Sequence, residues 1–210
     1  DRELSVGIST VQAATLTNES ALEHLQKVID SENGRHFVGG GGNYVFQDRQ
    51  APFRSPYDTV QCIFGNLVGE VPYQEIDFSY DDTYLYNEVP LTRVGGTEQV
   101  ASQAADYPVY YKRTLTKDGL LIDTDAEAND AANWLLTLYA SPQFRMNRIS
   151  VKPDGNVWDQ VLAREIGDRV TVRVRPISGG TLIERDATID GITHEFTAQT
   201  WLTTYQLYPY

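Results

Sequence analysis

Residues 170–175 read Val-Thr-Val-Arg-Val-Arg, so that Val170, Val172 and Val174 alternate with Thr171, Arg173 and Arg175. Successive side chains of a strand point to opposite faces, so this run predicts a half-buried antiparallel strand, valines inward and polar groups in water. The rest of the chain from Gly167 to the C-terminus continues in strand-forming residues. Gly179-Gly180 predicts a turn and Asp190-Gly191 a further break. Several antiparallel strands closing toward a barrel are expected, with one helix packed on them.

Two stretches have helical spacing instead. Ala21, Leu22, Leu25, Val28 and Ile29 fall on one face, with Thr17 or Asn18 as cap and Glu23–Lys27 as an i,i+4 pair. Asn33-Gly34 ends this helix, Gly taking the C′ position. The second helix runs over about 125–140: Thr124 and Glu127 form a capping box, Ala128, Ala131, Ala132, Leu135 and Tyr139 line one face, and Pro142 stops it. Between the helices, residues 51–72 read as irregular, and 84–94, 97–101, 107–115 and 144–151 as strands, with a Gly95-Gly96 turn.

Gly39–Gly42 could suggest a phosphate loop. Such a loop needs a strand before it and a helix after it, and a nucleotide loop also needs Gly-Lys-Ser/Thr. Here Asn43-Tyr44-Val45-Phe46 follows, a strand-forming run, so the glycines predict a hairpin tip.

The expected fold class is α+β, mostly antiparallel β. Residues 1–72 would form a small α+β domain of helix plus glycine hairpin. Residues 73–210 would form a barrel-like domain carrying the helix at about 125–140. The 210 residues suffice for a sizeable core. A start at Asp1 without Met leads us to expect a piece of a longer protein.

With 17 basic against 29 acidic residues, the chain lacks the Lys/Arg clusters that counterion release on nucleic acid requires. No apolar run reaches membrane-spanning length. Cys62 is the one cysteine, which excludes an internal disulfide; its neighbours Val60, Ile63 and Phe64 predict an inert buried thiol.

Asp123, Asp125, Glu127 and Asp130 resemble a calcium loop, but Ala128 and Trp134 stand where that loop needs Gly and Glu. They fit a helix N-terminus better. His24, His36 and His194 have no second ligand at metal spacing. Asp81-Asp82 would point to opposite faces of a strand, which does not suit two carboxylates flanking one glycosidic bond. No catalytic, metal or cofactor residues are therefore assigned, no cofactor is expected, and a non-enzymatic protein is expected.

The order of short motifs is similar to that of the hub-type minor tail proteins of siphophages infecting actinobacteria, relatives of the baseplate hubs of contractile tails. The motifs are Glu32-Asn33-Gly34-Arg35, "YVFQDR", "YDDTYLYNEVPLTRVGG", "YKRTL", "DTDAEANDAANWLLTLYASPQFRMNRISV" and "IDGITHEFTAQTWLTTYQLYP". The resemblance implies a structural role: self-association, commonly as a trimer, in a ring joining tail tube to distal tip. It implies tail-tube and tail-tip partners, no specific nucleic-acid binding, and a place in the virion tail after synthesis in the bacterial cytoplasm. Relatives often carry Gly where Lys112 stands. Two alternatives remain at this point. One is a carbohydrate-binding module of a tail protein, using the Trp and Tyr side chains. The other is a tail-associated cell-wall hydrolase, using Asp81 and Asp82 or a Cys62–His pair.

Overall fold

The computed structural model describes residues 2–13, 15–18, 20–155, 157–176 and 179–210. In chain order the elements are β1 (Arg2–Leu4), α1 (Ala21–Glu32), β2 (Arg35–Val38), β3 (Tyr44–Gln47), β4 (Val60–Phe64), β5 (Glu75–Asp81), β6 (Glu88–Arg93) and β7 (Gln99–Ser102). Then follow α2 (Tyr107–Tyr110), β8 (Lys117–Leu120), α3 (Asp125–Tyr139), β9 (Gln143–Val151), α4 (Val157–Leu162), β10 (Arg169–Val174), β11 (Ile183–Phe196) and β12 (Trp201–Pro209). The fold is α+β and mostly β, as expected.

Two compact units interleave along the chain. Unit 1 comprises Asp1–Val38, Asn43–Gln50 and Asp81–Gln143; unit 2 comprises Gly39–Gly42, Ala51–Tyr80 and Phe144–Tyr210. Each draws on residues from both sides of the expected 72/73 division.

Unit 2 is organised by a six-stranded sheet in the order β4-β10-β11-β12-β9-β5. The Val170–Val174 alternation forms β10, but as an inner strand. It pairs antiparallel with β11 and parallel with β4. Val170 and Val172 are fully buried beside Phe64, Ile189 and Tyr205. The Phe64 and Tyr205 rings lie 5.4 Å apart, and the Tyr205 hydroxyl donates to the Val161 carbonyl of α4 at 3.1 Å. Thr171, expected in water, is buried too: its hydroxyl donates to Asp186 at 2.7 Å, which meets the hydrogen-bonding need of the buried group.

Three expectations for this region are corrected. The sheet stays open, β4 and β5 being its edges, so no barrel closes. Residues 60–64 are not irregular but form β4, whose partner β10 lies far along the chain and leaves no local signal. Asp190-Gly191 is not a break: β11 runs on through a register shift between Ile189 and Gly191. Gly179, at φ +84, does turn the chain, its N–H donating to the Pro176 carbonyl.

Unit 1 holds two three-stranded sheets, β1-β3-β2 and β7-β6-β8. Gly39–Gly42 forms a hairpin tip between antiparallel β2 and β3, with Gly42 at φ +79 and its N–H on the Gly39 carbonyl. The phosphate reading thus has no helix to supply its anion site. α3 forms where expected, and Ala128, Ala131, Ala132 and Leu135 are buried. Its partner differs: it packs on β6 and β7, against Val89, Leu91 and Ala101, rather than on the late strands. The small alanines let the helix approach that sheet closely.

α1 also forms, with a different cap and a different face. Ser20 caps it in a full capping box with Glu23, replacing the expected Thr17 or Asn18. Asn33, at φ 53, takes the left-handed position assigned to Gly34. Gly34 is instead needed for space, because a Cβ there would lie 2.5 Å from the Gln47 carbonyl oxygen. Of the expected apolar stripe only Ile29 is buried; Leu22 is 66% and Leu25 43% exposed. The helix is held by its end. Glu32, buried, accepts the backbone N–H groups of Ile8 and Ser9 at 2.9 and 2.8 Å, and Ser31 accepts that of Leu121 at 2.7 Å.

Residues 107–115, expected as a strand, begin with the single helical turn α2. Pro108 sits in its first turn, where no N–H is needed, and Tyr111 at φ 60 ends it.

Candidate functional site

The residues considered for chemistry are distributed over both units. Cys62 is buried in the unit 2 core, and burial pushes its thiol up to about 11. That is the reverse of what an activated nucleophile needs. His24 and His36 lie on α1 and β2 of unit 1. His194 lies on β11, its Nδ1 2.9 Å from Thr203 Oγ1. The side chain of Asp81 lies outside the described residues. The Asp82 carboxylate is paired with Arg113, whose guanidinium also donates to the Asp82 carbonyl at 2.5 Å.

The acidic residues at the start of α3 are tied into unit 1. Asp125 accepts from Arg93 Nε at 2.5 Å and from the Thr97 hydroxyl at 2.7 Å. These bonds, Thr97 first and then Arg93, hold its carboxyl below the usual range. Thr124 caps α3 by accepting the Glu127 N–H at 3.2 Å. The Glu127 carboxylate does not complete the capping box; it takes the Thr10 N–H at 3.1 Å. Among the described residues no group of three or more His, Cys, Asp or Glu could hold a metal ion. Lys112, the departure from the tail-protein pattern, pairs with Glu88 at 2.7 Å. That bond lowers the Glu88 carboxyl and raises the Lys112 ammonium.

Two arrangements in unit 2 were not legible as sites. The first is a charge ladder on the outer face of β10 and β11. Arg169 pairs with Asp186 at 2.5 Å, Arg173 with Glu184, and Arg173 and Arg175 both with Glu70 at 3.1 and 2.7 Å. Glu70 also accepts the Leu67 N–H at 2.9 Å, so this cluster fixes the loop after β4. Between the edge of β4, Glu70–Val71 and α4 lies a groove of about 560 Å³, lined by Val60, Cys62, Ile63, Val157 and Gln160.

The second arrangement is aromatic. β10 pairs with β11 only as far as Thr188, and β9 pairs with β12 only from Thr203 onward. The β11–β12 hairpin, an aromatic arm, is therefore two-stranded only at Glu195–Phe196 and Trp201–Leu202. Its His194, Phe196, Trp201 and Thr203 share one face by the period of the strand and its register, His194 opposite Thr203 and Phe196 opposite Trp201. The Phe196 and Trp201 rings are 4.2 Å apart at 76°, and Trp158 of α4 meets Trp201 at 4.9 Å and 83°. The alternation His-x-Phe and Trp-x-Thr was the available sequence signal; the register that joins the two strands was not.

No protein-family model matches the chain. No curated protein matches it either. Solved structures do match. A tail protein from Neisseria meningitidis MC58 superposes with a TM-score of 0.60 at 15% identity, over 98% of this chain and 60% of that one. The prophage MuSo2 43 kDa tail protein from Shewanella oneidensis gives 0.60 at 13% identity, over 99% and 60%. A chain from the virion of a native gene transfer agent particle gives 0.54 at 12%, over 88% and 38%. The chain thus has a fold found in phage tail proteins, and it spans 60% of the length of the first two. Among the described residues no helix is long and apolar enough to cross a membrane.

Proposed function

We propose that this chain is a structural component of a phage tail tip, part of the hub ring that joins the tail tube to the distal tip. The observation that carries the reading is the fold shared with two tail proteins, one of them from a prophage, over nearly the whole of this chain. The likeness to a chain of a gene transfer agent virion adds support. So does the chemistry. Asp82 is engaged in an ion pair and the Cys62 thiol is buried, so these two of the groups named for a hydrolase serve pairing and packing. On this reading the protein self-associates, as a trimer in its full-length form, contacts tail-tube and tail-tip proteins, and resides in the virion tail.

Gold-tagged antibody against the chain, imaged on tailed particles from the source organism, tests the assignment. Label at the distal end of the tail is the expected result. Unlabelled particles, with the antigen accessible in dissociated tails, would overturn it. Sedimentation equilibrium of the full-length protein tests the trimer separately.

A further inference from the structure

We propose that Lys117 and Asn33 join in a self-formed amide cross-link between β8 and the end of α1, with loss of ammonia. The two side chains already meet: Lys117 Nζ lies 2.7 Å from Asn33 Oδ1, across 84 residues of chain. An ammonium has only donors, so the amide oxygen faces it and the amide nitrogen is turned away. That nitrogen, Asn33 Nδ2, is buried and has no hydrogen-bond partner among the described residues. A buried donor left unmade is costly, and releasing this one as ammonia removes the cost.

Both partners are held in place. Asn33 is fixed at the left-handed C-cap of α1, its N–H on the Asp30 carbonyl at 3.3 Å. Lys117 opens β8, which pairs with β6, and just beyond β8 the Leu121 N–H donates to Ser31 of α1. The carbonyl carbon of Asn33 is one C=O bond, about 1.2 Å, from Oδ1, so rotation of the lysine stem brings Nζ onto it. Burial pushes the Lys117 ammonium below its usual range, against the opposing charge of Asp30, so more of the uncharged amine is present to attack.

The uncharged Nζ adds to Asn33 Cγ. The Nζ–Cγ bond forms, the Cγ–Nδ2 bond breaks with its electron pair going to nitrogen, and the proton shed by Nζ passes to Nδ2, which leaves as ammonia. Asp30, the carboxylate whose charge reaches Lys117, relays that proton. The step balances without an oxidant. Its product ties α1, whose Leu22 and Leu25 are exposed, to the β7-β6-β8 sheet. Neither the cross-link nor its test depends on a place in a tail. Asn33-Gly34 offers a competing loss of ammonia, attack of the Gly34 nitrogen on Asn33 Cγ to give a cyclic imide. The Gly34 N–H is engaged by the Ile29 carbonyl at 3.1 Å, which opposes that attack.

The purified chain, incubated in mildly alkaline buffer and then denatured, is weighed by intact-mass spectrometry. A mass one ammonia below that of the sequence is expected, and a tryptic digest should yield one branched peptide carrying both Asn33 and Lys117. Lys117→Arg keeps a cation and a donor for Asn33 Oδ1 but has no attacking amine, and it should show the full mass of its sequence. Hydroxylamine opens a cyclic imide and leaves an amide cross-link intact, so it should change nothing. A parent chain at the full mass of its sequence would overturn the proposal. So would an ammonia loss that survives Lys117→Arg, or a product that hydroxylamine opens, since both mark the imide.

Discussion

The Glu70 carboxylate and the Arg175 guanidinium form a two-point pair, Oε2 to Nη1 at 2.7 Å and Oε1 to Nη2 at 2.9 Å. Arg173 adds a third contact at 3.1 Å. The pair joins the loop after β4 to the end of β10, two segments far apart in sequence. The Arg175 bond is the main cause that lowers the Glu70 carboxyl from 4.5 to about 2.

That shift fixes the sign of a pH effect. A carboxyl held low in the folded state adds stability that is complete above its unfolded pKa of about 4.5 and is lost as pH falls toward 2. Urea midpoints should therefore drop through that window in the parent. In Glu70→Gln the same window should be flatter, and at pH 7 the variant should be less stable by about 1–3 kcal/mol. Identical acid profiles would show that the ladder contributes nothing there.

Gly34 and Gly42 separate two reasons for glycine. Gly34→Ala meets the Gln47 carbonyl oxygen at 2.5 Å, so the β2–β3 region must shift, at about 1–3 kcal/mol. Gly42 has open space but a φ of +79, so Gly42→Ala incurs only the left-handed backbone term, about 1 kcal/mol. Thermal melts of both variants should rank them in that order.

Ser20→Ala removes the side chain that accepts the Glu23 N–H at 3.1 Å. With most of its apolar stripe exposed, α1 has little packing to compensate. A loss of about 1 kcal/mol is expected, read as earlier hydrogen exchange in the first turn of α1.

Cys62 should be unreactive in the native protein at pH 8, both because it is buried and because its thiol stays protonated there. A disulfide reagent should modify it within the time of unfolding in urea and far more slowly without urea. Rapid native labelling would contradict the burial of Cys62 in the unit 2 core.

Much of the fold was legible where a signal is local. The α3 stripe of Ala128, Ala131, Ala132 and Leu135 placed a helix correctly, because the 3.6-residue period is contained within its own fifteen residues. The glycine tip and the Val170–Val174 alternation were legible for the same reason. What the stripe could not reveal was its partner, and α3 packs on β6 and β7 rather than on the late strands. β4 shows the same limit: Val-Gln-Cys-Ile-Phe is short, and only pairing with β10 makes it a strand. α1 shows the converse. Its spacing was right, yet its fixation comes from Glu32 and Ser31 holding distant backbone N–H groups, which periodicity does not encode. The candidate site was less legible still, since the aromatic arm depends on the register between β11 and β12.

The interleaving of the two units has a consequence for synthesis. β4, at residues 60–64, hydrogen-bonds to β10, at residues 169–174, and the centre of the unit 2 sheet is completed by β11 and β12 at the C-terminal end. On the ribosome, β4 must wait unpaired for more than a hundred residues, with Phe64 and Cys62 lacking the core they will join. Unit 2 therefore folds late and through long-range closure, which slows the search and leaves sticky chain exposed. Expression yield of this protein should depend on temperature and chaperone supply more steeply than its final stability would suggest.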